Sequence, residues 1–186
     1  LSQKTGAKVS LPSEAQWEWA CRAGTASPLS YGGLDSDFSP FANLADAKLE
    51  DFASNPYTLY GAMKNKSRYD DYLPKDTRFN DKGMVAVAVG SYQPNPFGLH
   101  DMHGNAQEWT LSTYKPYPYD GADGREGATG AGSVADRKVV RGGSWRDRPQ
   151  ESRSAWRWGY PSWQQVYNVS FRVVIEAAPE SKVAAK

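Results

Sequence analysis

The sequence predicts a loop-rich domain that mixes one clear helix with a few short strands. Aromatic residues make up 13% of the 186 residues, with 7 Trp and 11 Tyr, and Gly and Pro are frequent at 17 and 12. Many turns combined with many large rings imply loops packed on aromatic anchors. Only one stretch has good helical periodicity, and three have strand character. The length suits one domain with a proper core.

The elements follow in order. "LSQKTGAKV" reads as a helix end with Gly6 as its stop. Because it reads as a helix already in mid-stride, the expectation is a domain whose N-terminal part precedes Leu1, or is supplied by another chain. "LPSEAQWEWACRAG" is the clear helix: Ser13 is the N-cap and Gln16 completes a capping box. Trp17, Ala20 and Cys21 form the buried stripe, and Gly24 ends the helix. Cys21 reads as a small core residue. Residues 25–95 are mostly non-periodic, with an acidic-aromatic stretch "SRYDDYLPKDTRFNDKG" and a strand-like "MVAVAVGSY". So long an irregular segment is functional or is held by something other than a sheet, and bound calcium is one such device. "DGADGREGATGAGSV", residues 120–134, lacks the Lys-Ser/Thr ending of a phosphate loop and reads as a mobile surface loop. "RKVVRGGSWRD" is a strand entering a Gly-Gly turn, and "NVSFRVVIE" a closing strand. A single domain over 1–176 and a flexible tail at 177–186 are expected.

Composition narrows the function. With 22 basic and 21 acidic residues, net +1, no electrostatic case exists for nucleic acid or an anionic membrane surface. No apolar run approaches the roughly 20 residues of a membrane span, and the opening residues lack a signal-peptide core. The single cysteine rules out an internal disulfide and leaves the compartment open. No nucleophile elbow is present around "GGSW". Asp46, Asp51 and the Asp70–Asp71 pair lack any sign of glycosidase placement. "NKS" at 65–67 and "NVS" at 168–170 match the glycosylation triplet, a pattern that arises often by chance.

Four ordered segments, "LPSEAQWEWACRAGT", "NPFGLHDMHGNAQEW", "VVRGGSW" and "YNVSFRV", together resemble the formylglycine-generating enzyme, or sulfatase-modifying factor, family over Leu11 to Val174. The resemblance implies an α+β fold related to C-type lectins, with little regular secondary structure. It also implies calcium. Carried over by position, Asp101 and Glu108 supply side-chain oxygens, and Gly104 and Ala106 backbone carbonyls. Ca²⁺ accepts six to eight hard oxygens in loose geometry, so a tight turn serves well. The alternative is that Asp101 and Glu108 only cap the turn. A second implied site pairs Asn43 and the Leu44 carbonyl with Asp81 and the Gly83 carbonyl, where this chain has Asp-Lys-Gly in place of the family's Asp-Gly-aromatic. His100 and His103, three apart beside carboxylates, offer a rival transition-metal reading, or simple structural hydrogen bonds.

The enzyme for which the family is named holds copper(I) with two cysteines shortly after the "GGS-aromatic" turn. Asp147 and Ser152 occupy those positions here, so no copper and no formylglycine-generating activity are expected. Arg146, Asp147, Arg148, Arg153 and Arg157 interleave with Trp145, Trp156, Trp158, Tyr160 and Trp163. That pattern suits a cleft for an acidic or polymeric ligand, whether peptide, glycan or protein, or else ladders that glue loops together. The expected function is a calcium-stabilised binding domain. The alternatives are a divergent oxygen-dependent oxidoreductase of the family, acting in protein or cofactor maturation, and a structural subunit of a larger assembly. Calcium use favours an extracytoplasmic location.

Overall fold

Ser13 sets the first boundary. Its hydroxyl accepts from Gln16 N–H at 3.1 Å and the Gln16 amide returns a bond to Ser13 N–H at 2.8 Å, the reciprocal capping box. In the computed structural model, which describes residues 1–49, 75–127 and 136–176, this box opens helix α2, Glu14–Arg22. A one-turn helix α1 (Ser2–Thr5) precedes it and ends at Gly6, in the left-handed region as expected. The C-cap of α2 is Ala23 at φ 47°, and Gly24 at φ 86° follows it. The stop therefore spans two residues, one earlier than Gly24 alone.

Strands β1 (Val9–Ser10) and β6 (Val174–Ile175) form a small antiparallel pair. The main sheet has the order β4-β3-β2-β5, with β2 Gln107–Thr113, β3 Arg137–Arg141, β4 Arg157–Pro161 and β5 Val169–Phe171. β5 runs parallel to β2, while β2–β3 and β3–β4 are antiparallel. Short 3₁₀ turns lie at Ala47–Leu49 and Pro149–Ser152. "NVSFRVVIE" is thus two strands in two sheets. The break falls at Arg172, whose side chain turns inward to Glu108.

"MVAVAVGSY" is not a strand, although its alternation predicts one. Asparagine side chains take its backbone groups: Val87 N–H donates to Asn105 Oδ1 at 2.9 Å, and Asn105 and Asn43 amides donate to the Val87 and Val85 carbonyls at 3.2 and 2.8 Å. Val89 remains 87% exposed, so no apolar face existed to bury. Over residues 120–127 the Gly-rich stretch is a mostly exposed surface loop with one inward anchor. Arg125 is fully buried there, bonded to the Asp123 carboxylate and the Pro116 carbonyl, beneath the Tyr119 ring. The rest of that stretch, Asp51, Asp70, Asp71, the 65–67 triplet and the tail at 177–186 lie outside the described residues. Asn168 of the second triplet is buried and donates to Ser144 Oγ, so it offers no accessible amide.

The apolar core is divided among small clusters: Trp17, Cys21 and Met102; Phe38, Ala42 and Leu44; Ala45, Leu49 and Trp145. Ion pairs join α2 to the sheet and its loops. Glu14, 1% exposed, takes Arg157 at 2.7 and 2.8 Å and Arg125 at 3.2 Å. Glu18 takes Arg141, which also lies over the Trp17 ring. Removing one member of a buried pair leaves an uncompensated charge. Glu14→Gln is therefore expected to lower unfolding free energy by about 3–5 kcal/mol in denaturant titration. Adding Arg125→Met and Arg157→Met to it is expected to restore part of that loss.

Candidate functional site

The turn 101–105 is clamped between two other segments. Asp101, Gly104 and Asn105 all have positive φ, at 56, 74 and 61°. A Cβ on Gly104 would lie 2.2 Å from the Asn43 carbonyl oxygen, so only glycine permits this approach. Asn105 N–H donates to that carbonyl at 2.8 Å, Gly104 N–H to the Gly142 carbonyl at 2.8 Å, and Trp145 N–H to the Asn105 carbonyl at 3.1 Å.

The two histidines separate. His103 is 3% exposed. Ser30 N–H donates to its Nε2 at 3.0 Å, which leaves Nδ1 as the protonated nitrogen, donating to the Ser152 carbonyl at 2.8 Å. Burial lowers its pKa to about 4, so the ring is neutral. His100 is exposed, with Nδ1 2.7 Å from the Tyr92 carbonyl. Among the described residues, no group of three or more His, Cys, Asp or Glu is placed to hold a metal. Cys21 is buried, 3.5 Å from His103 and from Ser154 Oγ, and burial pushes its thiol up to about 12, well away from thiolate reactivity.

Glu108 has a partner other than the implied ion. Arg172 engages both its oxygens, and Trp17 Nε1 donates to Oε2 at 2.7 Å. The same guanidinium reaches the His100 carbonyl at 3.1 Å. Asp101 goes elsewhere: Gly90 N–H donates to Oδ2 at 2.7 Å, and Oδ1 is buried without a partner. The chain's own cation answers Glu108, which leaves the buried Asp101 Oδ1 as the one unpartnered carboxylate oxygen of the set Asp101, Gly104, Ala106 and Glu108. The second set has no internal cation among the described residues. Asn43, Leu44, Asp81 and Gly83 adjoin, and a Cβ on Gly83 would lie 2.9 Å from Asn43 Oδ1. Asn43 Oδ1 is buried without a partner. Asp81 accepts from Leu44 N–H and Gly83 N–H, both at 2.7 Å. Burial, partly offset by these bonds, pushes its carboxyl up to about 6, with Asp46 nearby adding to the rise.

The Arg/Trp-rich segment divides in an unexpected way. A cleft of about 270 Å³ is lined by Gln107, Asp147, Glu151, Trp156, Trp158 and Tyr160. The arginines predicted for it do not line it, because each has a partner within the fold. Arg157 pairs with Glu14, 4.6 and 4.5 Å from the Tyr114 and Tyr117 rings. Arg146 lies over Tyr167, and Arg153 caps the Gln150 carbonyl and covers Trp156. Arg148 lines a neighbouring hollow with Asp76 and Arg78. Trp163 is exposed and does not line the cleft. Asp147 Oδ2 accepts from Ser144 N–H at 2.9 Å, Ser144 Oγ at 2.6 Å and Gln107 at 3.2 Å. Ser152 Oγ is buried, facing Gly143, where a Cβ would come within 2.1 Å of it.

The profile of the sulfatase-modifying factor enzyme 1-like domain matches residues 2–177. The chain belongs to the formylglycine-generating-enzyme family. Within that family, the chain is 30% identical over 138 residues to the inactive C-alpha-formylglycine-generating enzyme 2 of Mus musculus, covering 74% of this chain and 32% of that protein. It is 32% identical over 109 residues to the formylglycine-generating enzyme of Mycobacterium tuberculosis, covering 58% of this chain and 28% of the other. The chain thus spans about a third of these relatives' length. Among solved structures, PvdO from Pseudomonas aeruginosa superposes with TM-score 0.63 at 27% identity, covering 95% of this chain and 56% of that one. The α+β, loop-rich architecture is therefore that of the formylglycine-generating-enzyme family. No helix among the described residues is long and apolar enough to cross a membrane.

Glu108, Arg172, His103 and Gly104 all sit in the motifs that carried the family resemblance, and in this family member they brace the fold. Sequence reasoning missed Glu14, Gln107 and Glu151, while Tyr160 does line the cleft with Trp156 and Trp158. Glu14, in the first turn of a helix, read as an ordinary solvated acid, and only its two distant arginines mark it.

His103 makes stability depend on pH. Its folded pKa of about 4 lies below the ordinary 6.5, so between those values the unfolded chain binds a proton that the folded chain does not. The contribution is complete above pH 6.5 and is lost as pH falls toward 4. The neighbouring Cys21 and Tyr31 stay neutral throughout, because burial raises both. Asp81, raised to about 6, works in the opposite sense. Comparing wild type with His103→Gln by thermal denaturation cancels that background. Wild type is expected to lose on the order of 3 kcal/mol more between pH 7 and pH 4.

Proposed function

We propose that the chain is a binding domain of the formylglycine-generating-enzyme family that lacks formylglycine-generating activity. The observation that carries this reading is chemical. The two family cysteine positions are Asp147 and Ser152, the first held by Ser144 and Gln107 and the second buried against Gly143. The sole cysteine, Cys21, is buried with its thiol pushed up to about 12. A pair of thiolates suited to copper(I) cannot be assembled from one such group. Similarity to relatives named as inactive supports the same conclusion. The binding surface is the cleft beside β4, lined by Trp156, Trp158 and Tyr160. Its ligand is a peptide, glycan or protein segment, presented to rings on a frame fixed by ion pairs.

Calcium belongs to this reading as a structural ion held by Asn43, Leu44, Asp81 and Gly83. The buried, unpartnered Asn43 Oδ1 and the desolvated Asp81 supply the hard oxygens it prefers. When bound, the ion neutralises the Asp46–Asp81 neighbourhood and fixes the approach of the two segments. An extracytoplasmic compartment, where calcium is plentiful, suits such a domain.

In an oxygen electrode with a sulfatase-type cysteine peptide, uptake is expected to stay at the background rate. Uptake above background, tracking the amount of chain added, would overturn the non-catalytic reading and favour a divergent oxidoreductase. Separately, adding EGTA to protein equilibrated with free calcium at about 100 times its dissociation constant is expected to cost about 2.7 kcal/mol, roughly 5–10 °C in melting temperature. Asn43→Ala is expected to abolish the EGTA effect. An unchanged wild-type melting point counts against the ion.

A further inference from the structure

The cleft beside β4 holds buried hydrogen-bond acceptors without donors. Gln107 is only 7% exposed, and its Nε2 donates to Asp147 Oδ2 at 3.2 Å, so its other terminal atom, Oε1, is a buried acceptor with no partner. Glu151 Oε2 is likewise buried and unpartnered, while Glu151 Oε1 has only the half-exposed Arg148 at 3.6 Å. Among the lining residues other than the exposed Trp158, no side-chain nitrogen or hydroxyl is buried without a partner. The walls are Trp156, Trp158 and Tyr160, and Trp158 is 46% exposed. A cavity of about 270 Å³ is at the low end for ligand sites and takes one side chain or a small molecule.

No arginine lines the cleft: Arg146, Arg153 and Arg157 are committed to Tyr167, to Gln150 and Trp156, and to Glu14. An anionic ligand would leave Gln107 Oε1 and Glu151 Oε2 unsatisfied and would meet the Asp147 and Glu151 charges. A hydrated metal ion would meet the rings of Trp156, Trp158 and Tyr160, which form half of the lining and offer it no ligand geometry. A quaternary ammonium would suit the rings but offer the acceptors no proton. An N–H-bearing organic cation satisfies both, since an ammonium carries three donors and a guanidinium five, and either is attracted to ring faces.

We infer that this cleft binds a primary ammonium or guanidinium group, from a Lys or Arg side chain of a peptide or from a free alkylamine. The inference rests on the reading of the chain as a binding domain and gives that domain's ligand a charge. Gln107 Oε1 and Glu151 Oε2 accept from the cation, Asp147 holds Gln107 in register, and Trp158 and Tyr160 face its alkyl stem and charge.

The test is titration of the 186-residue chain followed by the indole N–H and glutamine amide signals in ¹H–¹⁵N spectra. The probes are butylamine and the N-acetyl methylamides of lysine, arginine, norleucine and glutamate. The basic probes are expected to saturate at least about tenfold more tightly than norleucine amide. Glu151→Gln and Trp158→Ala are each expected to weaken them by about tenfold while the melting temperature holds. Equal affinity for butylamine and lysine amide would identify a free amine as ligand, and a preference for lysine or arginine amide a peptide. Saturation by the glutamate probe alone, displacement of the amine by Ca²⁺ at the same signals, or no saturation by any basic probe would overturn the inference. None of those results depends on oxygen uptake, so failure here is distinguishable from failure of the non-catalytic reading.

Discussion

Buried backbone without regular structure must still satisfy its N–H and C=O groups, and that constraint organises this molecule. Segment 43–46 is the centre of the solution. Asn43 offers its carbonyl to Asn105 and its amide to Val85, Leu44 N–H donates to Asp81, Asp46 accepts from Asp81 N–H, and Ala45 N–H donates to the Asp147 carbonyl. Amide and carboxylate side chains do here what neighbouring strands do in a sheet. Each such bond is modest on its own, near 1 kcal/mol net, but leaving any of these groups unmade inside the protein costs more than making it returns. The loops are consequently specified by asparagine, aspartate and glycine at particular positions rather than by a hydrophobic pattern.

A second layer of order comes from arginine. Glu14, Glu18 and Glu108 each receive at least one guanidinium: Arg125 and Arg157, Arg141 with Arg22, and Arg172 respectively. The Glu14 and Glu18 pairs join α2 to β3, β4 and the loop at Arg125, and the Glu108 pair joins β2 to the chain after β5. Because their partners are already chosen, the arginines that colour the 145–168 segment basic contribute little positive surface to the cleft. The acids are left to set its character.

Much of the frame was legible in the sequence, for identifiable reasons. The Ser13–Gln16 box, the Trp17 and Cys21 stripe, the Gly6 stop and the strand before Gly142–Gly143 are local signals, readable from spacing alone. The strand expected at 84–92 failed because alternation in Val and Ala says nothing about a partner, and Asn43 and Asn105 supplied one from outside. The site was legible as a location, since Asp147, Trp156 and Trp158 do gather. Its sign was not, because whether an arginine faces a ligand or a glutamate over a hundred residues away is a tertiary fact. Gln107 gave no signal beyond lying one residue before Glu108.

The pairing of β1 with β6, which joins Val9 to Ile175 across nearly the whole chain, bears on how the molecule is made. The closing entropy of so long a loop is met only after the intervening segments have collapsed, and folds with such distant partners assemble slowly. During synthesis, Val9 and Ser10 cannot meet their partners until Val174 and Ile175 have left the ribosome. A truncation shortly before Val174 would leave Val9 and Ser10 open to pairing with another chain.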